Sequence, residues 1–202
     1  MPDTPGAGEV PFVGLTGGIG SGKSTALAAL AELGAETLSA DAVVHDLLGS
    51  DEVRDAIARR LGDSVVAMDG SIDRSAVAAR VFDNSEDRAW LEGMLWPRVG
   101  ARIAQWKSEC DSRQPPPAAA IVEVPLLFEA GMEGVFDKTI AVVAEEDLRA
   151  KRAEARGHTA VAERSARQLS QDEKAARADF AVRNDGSREE LKAELSRILA
   201  TI

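Results

Sequence analysis

The residues of this chain best suited to chemistry stand near its start, as Gly17-Gly18-Ile19-Gly20-Ser21-Gly22-Lys23-Ser24. They fit G-x-x-x-x-G-K-[ST], a spacing that serves to hold phosphate. Glycines remove the Cβ atoms that would block close approach, so successive N–H groups can turn inward around an anion. Lys23 adds a mobile positive charge able to follow the β- and γ-phosphates. Ser24 offers a hydroxyl to Mg²⁺. A helix that begins here points its positive end at the same phosphates. The chemistry implied is binding of a nucleoside triphosphate together with Mg²⁺.

Further polar groups fall at telling places. Asp41 follows a short strand pattern and could accept the proton of an attacking hydroxyl, or it could cap the helix that begins beside it. His45 lies four residues on, one helical turn away. Glu123 interrupts an apolar run and either orders a Mg²⁺-bound water or sits in a buried ion pair. Arg149, Arg152 and Arg156 recur at i, i+3 and i+7, and Arg164 and Arg167 follow after Gly157. Such a stripe either closes over phosphates as a lid or forms a solvated face paired with Glu145, Glu146 and Glu154.

The elements that must carry these groups follow from hydrophobic patterning. Residues 10–15 form an apolar run suited to a buried parallel strand, and 25–33 are helical, closed by Gly34. A second strand is expected over 34–39. Helices are expected over 42–48, 51–61, 73–82 and 85–110, the last with an apolar stripe from Trp90 to Trp106, whose tryptophans either pack in a core or stack on a ligand, and a kink at Pro97. Strands are expected at 118–124, 137–143 and 178–182, and helices at 145–156, 158–170 and 187–199. Alternating strands and helices imply a parallel sheet flanked by helices. The stretch 42–112 carries almost no strand pattern and reads as a helical insertion.

Composition narrows the classes. With 202 residues, 45% hydrophobic and 29% charged, the chain suits one globular domain with an insertion. A net charge of −10 argues against a general nucleic-acid surface. The single Cys110 excludes an internal disulfide and a Cys-rich zinc site, and fits a cytoplasmic, reducing location. No apolar run is long enough for a membrane span. Residues 1–9 read as a disordered tail. Nothing in the sequence sets the oligomeric state, for which a monomer is the default.

Taken together these segments resemble the dephospho-CoA kinase family. The resemblance is carried by 14–25 (Gly-Leu-Thr-Gly-Gly-Ile-Gly-Ser-Gly-Lys-Ser-Thr), by Ser39-Ala40-Asp41 followed by His45, and by Val124-Pro125-Leu126-Leu127-Phe128-Glu129. The Arg152 to Arg156 segment, Arg164 with Gln168, and Ala178-Asp179-Phe180 leading to Asn184 and Gly186 complete it. It runs from about residue 11 to 199. Ser39 stands where the family has the first Asp of D-A-D, and Trp96 where it commonly has His.

The resemblance implies a P-loop NTPase-type α/β fold with a helical acceptor-binding insertion and a helical lid. A single kinase domain would cover 10–202, with its core at 10–41, 115–145 and 178–202, the insertion at 42–112 and the lid at 146–177. Only the kinase is expected, without an appended C-terminal domain. The implied reaction is ATP-dependent phosphorylation of the ribose 3′-hydroxyl of dephospho-coenzyme A, the last step of coenzyme A synthesis. Lys23, Asp41 and Arg152 would be catalytic, and Gly17, Gly18, Ile19, Gly20, Ser21, Gly22, Lys23, Ser24 and Thr25 would hold ATP. Asp41, His45, Pro125, Leu126 and Leu127 would meet the acceptor, and Ser24, with Glu123, the Mg²⁺.

Other classes fit less well. A GTPase-like switch wants N-K-x-D, which does not occur, and a dinucleotide-binding fold wants G-x-G-x-x-G, which the loop does not contain. Kinases of nucleosides, nucleotides or shikimate-like alcohols share the loop and the base. Only the family-specific segments separate them.

Overall fold

β1 (Phe12–Gly17) is the middle of a five-stranded parallel sheet, and the rest of the sheet is arranged around it. The computed structural model describes residues 9–82, 84–155 and 168–202. Residues 1–8 of the tail expected over 1–9, Arg156, Arg164, Arg167 and most of the helix expected over 158–170 lie outside them. Two compact units divide the chain, one of Met1–Ser39 with Lys107–Ile202, the other of Ala40–Trp106.

In the first unit, β2 (Glu36–Ser39), β3 (Ala120–Glu123), β1, β4 (Lys138–Val143) and β5 (Phe180–Arg183) pair in that order, every pair parallel. The apolar runs explain the placement: Val13, Leu15, Ile121, Ile140 and Val142 are fully buried, as a strand covered on both faces requires. One layer of cover comes from α1 (Lys23–Glu32) through Ala26, Ala29 and Leu30. The C-terminal helix, Arg188–Leu199, adds Leu191, Leu195 and Ile198 to the same core.

Parallel pairing fixes which ends share an edge. Ser39 of β2 stands opposite Glu123 of β3, and Glu123 opposite Leu15 of β1. The segments that leave β1, β2 and β3 therefore emerge on one side, the side where open α/β sheets bind ligands.

In the second unit, α2 (Ala40–Leu48), α3 (Asp51–Leu61), α4 (Arg74–Phe82) and α5 (Ser85–Asp111, which runs on past the unit) carry a separate core. Val53, Ile57 and Leu61 form the apolar stripe of α3 and meet Val65, Val77 and Leu95. Trp90 packs against this cluster beneath the Arg60 guanidinium. Asp87 is buried and held by Arg60 at 2.9 Å. Trp96 is exposed, and α5 is assigned as helix through Pro97.

After β4 come α6 (Glu146–Ala155) and α7 (Gln171–Arg177), so the C-terminal helix is α8. The sequence pattern had no helix over 171–177. Its start signal is nevertheless present: Ser170 accepts from Glu173 N while the Glu173 side chain accepts from Ser170 N, a capping box. β5 begins at Phe180 rather than 178, because Asp179 is bonded to Thr139 of β4.

Candidate active site

β1 delivers Thr16 and Gly17 to the sheet edge, and α1 takes the chain away at Lys23. The five residues between them form the phosphate loop. Its glycines answer to neighbours within the protein as much as to a ligand. Gly20 (φ 76°) lies under α6, where a Cβ would overlap the backbone carbonyl of Arg149. Gly22 (φ 93°) lies under Asn184, whose Nδ2 a Cβ would overlap. Both also adopt a backbone conformation that side chains resist.

Gly22 is the N-cap of α1, and no side chain caps the helix. The first turn carries no acidic residue. Its amides and its positive dipole end are thus left for an anion. Lys23 folds back over the loop, Nζ donating to Gly17 O at 2.9 Å and to Gly18 O at 3.2 Å. Ser24 is exposed in the first helical turn and Thr25 is half-buried. Ser21 Oγ is buried with no hydrogen-bond partner among the described residues, while Ser21 N donates to Gly18 O at 3.2 Å.

Two arginines of α6 reach this loop. Arg149 donates from Nε to Ile19 O at 3.0 Å and pairs with Glu146 at 2.5 Å. Arg152 donates from Nη1 to the carbonyl of Asn184 at 3.0 Å. Both side chains are half-buried. The stripe is therefore more than a solvated face, although Arg149 does make one of the expected glutamate pairs. A cleft of about 300 Å³ opens beside Arg149, lined on its other side by residues 168–172.

Asn184 is the residue that sequence reading undervalued. In the sequence it stood among the positions that carry the family resemblance, with no role assigned to it. In the structure it is 6% exposed, accepts Arg152, and donates from Nδ2 to Ser21 O at 2.8 Å. A buried residue that donates from its side-chain amide to the loop and accepts an arginine through its backbone carbonyl holds both to one reference point.

The turn after β3 is fixed just as firmly. Val124 N donates to Leu15 O at 2.9 Å, and Pro125 O accepts from Thr16 Oγ1 at 3.2 Å. Leu126 points outward at 42% exposure, whereas Leu127 is fully buried, with Cδ1 against Gly14. The Leu127 side chain is a core group. Glu123 is half-buried at the last position of β3.

In the second unit, Asp41 is the second residue of α2 and is exposed. It lies inside the first turn rather than ahead of it, where the helix dipole favours its charge. His45 is exposed one turn later, with Arg74 Nη1 3.4 Å from its Nδ1.

Mg²⁺ suits these groups in one way. No cluster of three or more His, Cys, Asp or Glu among the described residues could hold a metal alone. A divalent ion held by one serine hydroxyl, water and nucleotide phosphates needs no such cluster. The exposed Ser24 hydroxyl beside an uncapped helix start is a fitting donor.

Known proteins converge on one family. The dephospho-CoA kinase (CoaE) family model matches residues 11–190. A dephospho-CoA kinase of Symbiobacterium thermophilum is 39% identical over 188 residues, covering 91% of this chain and 78% of that protein. The crystal structure of TT1252 from Thermus thermophilus superposes with a TM-score of 0.83 at 32% identity, covering 96% of this chain and 98% of that one. The dephospho-CoA kinase from Campylobacter jejuni gives 0.68 at 27% identity, covering 93% and 94%. A parallel sheet with a phosphate loop at its centre, matched over residues 11–190 by the family model and over 91% of the chain by a relative, places the chain: it belongs to the dephospho-CoA kinase family.

Proposed function

We propose that the protein transfers the γ-phosphoryl group of ATP to the ribose 3′-hydroxyl of dephospho-coenzyme A, giving coenzyme A and ADP. The observation that carries the donor half is the loop itself: an uncapped helix start, glycines packed under α6 and Asn184, and Lys23 poised across the loop carbonyls. The family assignment carries the acceptor half.

The roles then follow from charge. The loop amides and Lys23 bind the β- and γ-phosphates, and Lys23 exchanges its carbonyl partners for phosphate oxygens. Arg149 and Arg152 stand beside the loop to offset charge that builds as the bridging P–O bond breaks. Asp41 takes the proton of the 3′-hydroxyl as its oxygen bonds to phosphorus, and ADP leaves with the bridging oxygen. Mg²⁺ bound at Ser24 would neutralise phosphate charge. His45, Pro125 and Leu126 contribute to holding the acceptor, with the helices of the 42–112 stretch forming its binding region.

The chain's charge of −10 argues against a general nucleic-acid surface, and the anionic substrates are held by local cations that oppose this overall field. No helix among the described residues is long and apolar enough to cross a membrane, and a cytoplasmic setting accords with the reaction. The test is ADP release with Mg-ATP against a panel of dephospho-CoA, adenosine and nucleoside monophosphates. Release that depends on dephospho-CoA supports the reading. Release driven by another alcohol overturns it.

A further inference from the structure

α7 is tied to its surroundings by more polar bonds than two turns of helix need. Gln171 grips the residue after β4 from both sides, its Oε1 accepting from Ala144 N at 2.9 Å and its Nε2 donating to Ala144 O at 2.8 Å. Lys174, with no exposed surface, donates from Nζ to Pro125 O at 2.6 Å and pairs with Glu129 at 3.0 Å. Glu129 also accepts from Leu169 N at 2.8 Å. α7 therefore joins the segments that leave β3 and β4, the strands on either side of β1.

A buried ammonium is an expensive way to join segments. Burial pushes the Lys174 pKa down, and Glu129 only partly opposes that shift. Pairs of this kind can often be replaced by apolar groups without loss of stability, so stability alone does not account for it. The Pro125 carbonyl does. It accepts from Lys174 and also from Thr16, the residue before Gly17. One oxygen thus sets the end of the phosphate-loop strand, the start of the 125–127 turn and α7 relative to one another. The next residue, Leu126, is the exposed side chain of that turn, at the edge where ligands of such sheets bind.

We infer that Lys174 is a positioning residue for the phosphoryl acceptor: through Pro125 O it holds the Leu126 surface at a fixed place beside the phosphate loop. This rests on the function proposed above. Glu129 keeps the ammonium aimed at that carbonyl. Thr16 supplies the second, weaker tether to the same atom.

The experiment is steady-state kinetics on wild type, Lys174→Met, Thr16→Val and the double variant, varying ATP and dephospho-CoA separately. Lys174→Met is expected to raise KM for dephospho-CoA on the order of tenfold, with KM for ATP changed by less than about twofold, since a hydrogen bond from a charged group is lost. Thr16→Val keeps its volume and gives a smaller rise of the same kind. Because both act on one oxygen, the double variant falls short of the product of the two effects. Equal changes in both KM values, a strictly multiplicative double variant, or folded variants with wild-type KM overturn the inference. If Lys174→Met does not fold, Thr16→Val alone decides, and an unchanged KM for dephospho-CoA overturns it. A wild-type protein inert toward dephospho-CoA overturns the proposed function and this inference with it, whereas an active wild type with unaltered variants overturns the inference alone.

Discussion

Asn184 donates its side-chain N–H to the carbonyl of Ser21 at 2.8 Å, joining positions 163 residues apart in the chain. The phosphate loop is therefore shaped by the segment that leaves β5, near the far end of the sequence. The same residue accepts Arg152 through its backbone carbonyl, so the loop and an α6 arginine share one support.

Removing that support should be felt at the donor side. Asn184→Ala leaves Ser21 O without its partner and is expected to cost about 1–3 kcal/mol, the usual penalty for orphaning a buried polar group. ATP titration should show weaker binding, and the melting temperature should fall. Unaltered ATP affinity in a folded variant would mean that the loop holds its shape unaided.

Gly22 offers the reciprocal test. Gly22→Ala forces a Cβ onto Asn184 Nδ2 and also puts a side chain at φ 93°. Two separate costs should appear, and pairing it with Asn184→Ala should relieve only the first. Because Asn184→Ala weakens ATP binding by itself, the double variant should lose less affinity than the two single losses summed. A loss no greater than that of Asn184→Ala alone would show that backbone conformation contributes nothing. A strictly additive loss would show that the contact contributes nothing.

Acid stability has a identifiable contributor away from the site. Burial works against the Asp179 carboxylate, but bonds from the Thr139 hydroxyl and amide, and from Lys138, outweigh it and hold its pKa below the ordinary 3.8. A depressed folded-state pKa stabilises the protein above 3.8, and that contribution fades as pH falls through the lowered value. Asp179→Asn should therefore be less stable than wild type at neutral pH, with the gap narrowing in acid below that point. Thermal melts across this range check it, and a gap that stays constant contradicts it.

Much of this architecture was legible in the sequence because its signals are local. The loop motif, the apolar run of 118–124, the strand pattern of 137–143, and the α3 stripe of Val53, Ile57 and Leu61 each declare themselves within a few residues. What stayed hidden depends on long-range contact. Asn184 carried part of the family resemblance but no role, and nothing nearby in sequence points to Ser21. Lys174 sits among charged residues of a short helix, and only the fold reveals that it is buried beside Glu129. Leu127 shows the converse: a motif position adjoining an exposed residue became core because side chains leaving a strand end point in different directions. The helix at Gln171–Arg177 carries a capping box, Ser170 with Glu173, that is local and readable, although no helix was expected there.

Substitution at the two proposed reacting groups should separate donor from acceptor chemistry. Lys23→Ala is expected to weaken ATP binding and to cut turnover strongly. Asp41→Ala should cut turnover by a factor on the order of a hundred to ten thousand, the usual worth of a positioned general base, while sparing ATP binding. Wild-type turnover in Asp41→Ala would leave this carboxylate with no part beyond the first turn of α2.

The most direct measurement follows the phosphate itself. Protein incubated with Mg-ATP and dephospho-CoA would be analysed for the position of new phosphate on the product, alongside ADP formed. The account predicts one ADP per product molecule, with the phosphate on the ribose 3′-oxygen and coenzyme A as the compound formed. ATP bound tightly but hydrolysed without acceptor dependence, or phosphate found on any other hydroxyl, would contradict it.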